Sequence, residues 1–244
     1  VKGLPKKNNN HSLKSEREKV GLAERFFWII TCLLLFYSLV SAKVKGRSDI
    51  LVLQLAAEFL ICLILPALKL FVKRGFVERL SFKVQTHICI MLLVTAFFGQ
   101  YLGLYSSMEW YDTYMHIIGG FVFVFTGYEL AAAMKSEGTG YDPLLYAIAG
   151  FGLSFFFAVG WEIFEFICDS VFVDSNSQNW SAVNSEDILK LFSAVDPRRF
   201  ALLDTMLDLV AGTLGSLAGG VALYIVLKKR NKSLLLKTYE STCA

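Results

Sequence analysis

Six apolar runs, each close to the length that crosses a bilayer, constrain this chain more than any other feature. They lie at about 26–42, 50–72, 84–104, 111–134, 144–168 and 203–227. At a rise of about 1.5 Å per residue, a helix of about 20 residues matches the roughly 30 Å of hydrocarbon in a bilayer. A soluble domain of 244 residues could bury a core without such runs. With 55% hydrophobic and only 18% charged residues, the pattern predicts an all-α fold, a polytopic membrane helical bundle of about six transmembrane helices.

Charge orients the bundle. The net charge of +3 is small, and Lys and Arg sit in short blocks between the apolar runs. That distribution excludes a nucleic-acid surface, which needs a continuous basic patch, and suits a membrane topology. Residues 1–25, with Lys2, Lys6, Lys7, Lys14, Arg17 and Lys19 around Asn8, Asn9 and Asn10, read as a disordered cytoplasmic tail. Residues 26–227 read as the six-helix domain with an outer loop at 170–202, and 228–244 as a basic cytoplasmic tail. Both termini are then cytoplasmic, together with the basic turn Lys69, Lys73, Arg74, Arg79 and Lys83, whereas Lys43, Lys45 and Arg47 fall in an outer turn against the trend. Val40-Ser41-Ala42 resembles a signal cleavage site, but the long charged lead and nearly spanning run favour a retained anchor. Pro66 predicts a kink within the second helix, and Gly138 with Gly140 a turn after the fourth. Asn184 or Ser185 could cap a short helix in the outer loop. No C-x-x-C pair occurs, so Cys32, Cys62, Cys89 and Cys168 read as small buried hydrophobes. Trp110, Trp161 and Trp180 read as interfacial anchors.

Ionisable groups interrupt three of the runs, and such groups are expensive near hydrocarbon. Asp112 and His116 open the fourth helix, Glu162, Glu165 and Asp169 close the fifth, and Asp204 and Asp208 open the sixth. Steps of three and four place each set on one helical face, and alternation of direction brings all three sets to the outer end. Stripes of small residues continue the same faces: Gly119 or Gly120 and Gly127, then Ala147, Ser154 and Ala158, then Gly212, Gly215 and Gly219. Small residues let membrane helices approach closely, so these faces should meet inside the bundle beneath an outward polar pocket. Five or six carboxylates cannot share such a pocket while all ionised; protons, salt bridges with Arg198 or Arg199, or a cation must compensate them. A divalent metal ion is attractive, with His116, Glu162, Glu165 and Asp208 as inner ligands and catalytic groups, and Asp112, Asp169 and Asp204 as outer ligands or substrate contacts. The competing reading makes Asp112 and Asp204 helix N-caps, but acidic residues near a helix C-terminus, such as Glu162 and Glu165, gain nothing from the dipole. Glu58 could extend a proton or cation route; His87 lies far from the cluster and His11 in the tail.

Three blocks occur in order: Trp110-Tyr111-Asp112 with His116, Gly119 and Gly120; Gly160-Trp161-Glu162 with Glu165 and Asp169; and Asp204-Thr205 with Asp208 and Gly215. They resemble the YjdF-like family of bacterial inner-membrane proteins across nearly the whole apolar portion. More distantly they resemble the VanZ-like membrane proteins, whose Glu-x-x-Gln pair is replaced here by Glu162 and Glu165. The resemblance implies the fold, the site and a bacterial inner membrane, but no reaction.

Three functions then compete. A metal-dependent enzyme would act on a lipid or lipid-linked phosphate in the outer leaflet, with His116 or Glu162 as ligand or general base. The chain offers that reading no Arg and Lys clamp, no D-G-x-x-A-R run and no Ser-based hydrolase motif. A cation or proton-coupled carrier would use Glu58 or Glu129 deeper along its route, although no repeat of two similar halves is visible. A non-catalytic scaffold would use the cluster for packing or a structural ion. The expected partners are membrane lipids and an amphiphilic substrate, not nucleic acid.

Overall fold

A computed structural model describes residues 21–72, 75–108, 110–134, 142–172, 175–178 and 199–243, with side chains as far as 233. Every regular element among them is helical. These are α1 (Leu22–Val44), α2 (Asp49–Phe71), the short α3 (Phe76–Arg79), α4 (Lys83–Leu92), the short α5 (Leu104–Ser107), α6 (Tyr111–Met134), α7 (Pro143–Val171) and α8 (Phe200–Cys243). A π-helical segment, Leu93–Tyr101, extends α4 without a break. The chain thus has six helices long and apolar enough to cross a membrane, α4 and its π extension counting as one. Their outward faces carry large apolar side chains such as Leu60, Phe71, Phe156 and Val221, as a lipid-facing surface requires.

Local chemistry sets the boundaries. Ser48 caps α2 by accepting from the Leu51 amide, and Asp142 caps α7 by accepting from the amides of Leu144 and Leu145, with Pro143 filling the first helical position. Gly103 takes the left-handed conformation (φ 81°) that turns the chain from the π segment into α5. Pro66 lies inside α2. Two limits differ from the sequence expectation. α1 begins at Leu22, where the Glu24 carboxylate accepts from the Gly21 amide, so its first turn overlaps the tail assigned to 1–25. α8 runs on to Cys243 rather than ending at Leu227. Hydropathy marks where the apolar run stops, whereas a helix stops where residues break it, and no Gly or Pro follows Gly220. The expected turn at Gly138 and Gly140, the cap at Asn184 or Ser185, Trp180 and Arg198 lie outside the described residues.

Two groups of helices divide the packing. α6, α7 and α8 form the more intimate one, built on small residues. A Cβ at Gly120 would stand 2.2 Å from the Gly212 carbonyl oxygen, and one at Gly215 would stand 2.0 Å from that of Ile117, so backbone lies on backbone between α6 and α8. On the α7 side, a Cβ at Gly127 would meet the Gly150 Cα at 2.9 Å. Ser154 of α7 reaches both partners: its hydroxyl donates to the Gly120 carbonyl at 2.7 Å and lies 2.9 Å from the Ser216 hydroxyl. Inside a bilayer, where lipid tails are as apolar as leucine, such close packing and hydrogen bonding replace the hydrophobic effect as the cohesive force.

The second group, α1, α2 and α4 with its π extension, packs through side chains: Leu35, Leu55, Leu92, Ala42 and Ala96, with Cys62 and Cys89. α4 also lies against α6 and joins the groups, with His87 Nδ1 3.1 Å from the Thr126 hydroxyl. The π segment has local causes. The Tyr111 hydroxyl donates to the Val94 carbonyl at 2.7 Å, and the Tyr105 ring occupies the space beside Gly99, where a Cβ would stand 2.3 Å from it. Widening the helix turns carbonyls away from their usual partners and makes room for both tyrosines.

Candidate functional site

The first turns of α6, the last turns of α7 and the first turns of α8 meet at one end of the bundle, because short side chains let those helices converge. His116 lies at the centre. Its Nε2 stands 3.7 Å from Asp112 Oδ1, 3.7 Å from Glu162 Oε1 and 3.9 Å from Asp208 Oδ2. Asp112, His116 and Asp208 each present one ligand atom within 4.8 Å of the others. The Glu162 and Asp208 side chains are each only 5% exposed and that of His116 8%, while Asp112 retains more contact with the surface.

These separations are too long for hydrogen bonds. They are close to the edge of a tetrahedral coordination shell, which at metal–ligand distances of about 2.0–2.2 Å measures roughly 3.3–3.6 Å. Neither Glu162 oxygen meets a donor in hydrogen-bonding geometry, although the Thr205 hydroxyl is its neighbour. Two unit charges about 4 Å apart repel by about 4 kcal/mol at an effective dielectric of about 20, so ionised carboxylates around one imidazole require compensation. No lysine or arginine among the described residues pairs with Asp112, Glu162 or Asp208. The chemistry of the set, three carboxylate groups and an imidazole, suits a divalent cation, and the Asp112, His116 and Asp208 group could hold a metal ion.

The other acidic residues are disposed differently. Glu165 is buried beside the cluster, close enough to Asp112, Glu162 and Asp208 to feel their charge, and its Oε1 accepts from the Trp161 indole N–H at 2.8 Å. Trp161 therefore positions a carboxylate besides lying exposed at the helix surface. Asp204 lies within electrostatic reach of Asp112, Glu162 and Asp208. It sits inside α8, which begins at Phe200, so it is not the N-cap that the competing reading required; Asp112 likewise falls inside α6. Asp169 turns away from the imidazole to organise the chain after α7. Its carboxylate accepts from the Ser175 hydroxyl at 2.6 Å and from the amides of Ser177 and Gln178, each at 2.8 Å. Gln178 then donates to the Thr205 hydroxyl at 2.8 Å, which ties this segment over the end of α8 next to Glu162.

Tyr105 was not among the residues singled out in the sequence. It lies outside the spanning helices, and burial, then the charges of Asp112 and Glu165, with Tyr111 and Glu58 adding to them, hold its phenol well above the ordinary range. It lies within electrostatic reach of both the cluster and Glu58. Only its position in an aromatic turn just before Asp112 could have flagged it. Glu58 is buried in α2, with Oε1 accepting from Gln100 of the π segment at 3.1 Å. Glu129 lies near the other end of α6, with Lys83 Nζ 3.8 Å from its Oε1, and His87 is occupied with Thr126.

No curated protein and no solved structure matches the chain. The family model for predicted membrane proteins designated DUF2238 matches residues 24–229, which include part or all of each of the six long helices and every residue of the cluster. The chain belongs to this family of membrane proteins.

Proposed function

We propose that the chain is a metal-dependent membrane enzyme whose outward pocket holds a divalent cation through Asp112, His116, Glu162 and Asp208. It would act on a lipid or lipid-linked phosphate at the outer leaflet of a bacterial inner membrane, with both termini in the cytoplasm. The observation that carries this reading is the imidazole with three carboxylate oxygens at 3.7–3.9 Å, all but Asp112 buried, and without a basic partner among the described residues. The position of the cluster near one end of three spanning helices suits a substrate with a polar head and an apolar tail. The likeness of the three sequence blocks to YjdF-like and, more distantly, VanZ-like proteins supports the localisation. A bound cation would polarise a phosphoryl oxygen or lower the pKa of a water. Glu165, held by Trp161, and Asp204 would serve as outer ligands or general bases, and Asp169 would act by ordering the segment that covers the pocket.

One observation favours a second reading, a cation or proton-coupled carrier. Glu58 Oε2 and Gln100 Oε1 are buried without hydrogen-bond partners, and Tyr105 is within electrostatic reach of both Glu58 and the outer cluster, as a polar route would require. Phosphate release from a polyprenyl diphosphate in reconstituted vesicles separates the two. Metal-stimulated release by the wild type, lost in His116→Ala and kept in Glu58→Gln, supports the enzyme. No release, with cation uptake that Glu58→Gln abolishes, replaces it with the carrier.

A further inference from the structure

A threonine inside a helix commonly places its hydroxyl proton on the carbonyl one turn back. Thr31, Thr95 and Thr213 do so, donating to the carbonyls of Phe27, Met91 and Leu209 at 2.9, 2.9 and 2.7 Å. Thr205, in the second turn of α8 and a neighbour of Glu162, does not: among the described residues its hydroxyl makes no bond to the Ala201 carbonyl. Its oxygen instead accepts from the Gln178 side-chain amide at 2.8 Å.

Gln178 is held in place for that contact. The Asp169 carboxylate accepts from the Ser175 hydroxyl and the Ser177 amide through one oxygen and from the Gln178 amide through the other, which fixes the main chain on either side of Ser177. Gln178 is 8% exposed and Ser175 5%, so the donor reaches Thr205 from a packed segment.

A hydroxyl that accepts from an amide keeps its one proton for another acceptor. The neighbouring acceptor is the Glu162 carboxylate, whose buried oxygens both lack a donor. Tying the segment to α8 does not explain why that proton is withheld from the helix, because a hydroxyl bonded to its own backbone accepts from an amide equally well. A carboxylate that ligates a cation through one oxygen does explain it: the other oxygen, out of water, needs a donor, and such outer partners orient the ligand. We propose that Thr205 and Gln178 are positioning residues of the acidic pocket. Gln178, fixed by Asp169, turns the Thr205 hydroxyl toward Glu162, and the hydroxyl donates to the carboxylate oxygen that a bound divalent cation leaves free. This role rests on the pocket's holding a divalent cation, as proposed above, and the hydroxyl keeps its proton throughout.

Calorimetric titration of the full chain in detergent micelles with Mn(II), an ion suited to oxygen and imidazole ligands, tests it. Thr205→Val keeps the side-chain shape without the hydroxyl and should weaken Mn(II) binding about 10–100-fold, the range for loss of an outer-shell partner. Thr205→Ser restores the hydroxyl and should bind as the wild type does. Gln178→Met removes the group that aims the hydroxyl and should lose about tenfold; it decides the matter should Thr205→Val fail to fold. Undiminished affinity in either folded variant, or a loss in Thr205→Ser equal to that in Thr205→Val, overturns this role and leaves the cation site standing. A wild type that binds no Mn(II) overturns the cation site and this role with it.

Discussion

Between α6 and α8, backbone meets backbone at Gly120, Gly215 and Gly219; between α1 and α2, the contact is made by Leu35, Leu55 and their neighbours. The first arrangement brings helix axes close, and only there do side chains as short as Asp112 and Asp208 reach one imidazole. The second keeps axes apart and fills the space with side chains. Glycine on three faces is therefore a condition of the acidic cluster, whereas the side-chain-packed half supports the site from outside through α4 and the π segment.

The sharpest way to break this contrast is Gly215→Val. Its Cβ would sit 2.0 Å from the Ile117 carbonyl oxygen, which cannot move without α6 moving, and the loss should be about 3 kcal/mol or more. Chain recovered by size-exclusion chromatography with wild-type yield and melting temperature would show that the close approach is not needed. Leu55→Ala in the other half should cost about 2–4 kcal/mol by leaving a cavity, read as a lower melting temperature, yet leave metal uptake at the acidic cluster unchanged. Tyr111→Phe removes the hydroxyl that holds the Val94 carbonyl and should cost about 1 kcal/mol, with hydrogen exchange accelerating within Leu93–Tyr101. Gly152→Ala is the counterpart of Gly215→Val: nothing lies within 4 Å of its added Cβ, so thermal unfolding should show no loss and a gain of at most about 1 kcal/mol from helix propensity.

Much of this division can be read from spacing. The six apolar runs and the limits of α6 follow from hydropathy, and the stripes at Gly120, Gly127, Gly212, Gly215 and Gly219 follow from steps of three and four. The same steps place Asp112 above His116 and Glu162 beside Glu165. What spacing cannot supply is distance between helices. It groups Asp169 with Glu162 and Glu165, but the backbone amides of Ser177 and Gln178 claim its carboxylate, a local contact made after the helix ends. Spacing also misses Tyr105, which matters only because the chain folds it back against Gly99. The π segment is invisible for the same reason, since it depends on which side chain another helix offers. The length of α8 escapes because hydropathy is blind to helix that continues beyond the membrane.

The proposed function requires that groups from α6, α7 and α8 share one cation. Metal analysis of the chain purified without chelator, beside His116→Ala and Asp208→Asn, tests it most directly. About one divalent ion per chain in the wild type, lost from both folded variants, is the predicted result. A wild type without metal, or variants that keep its full content, would contradict it.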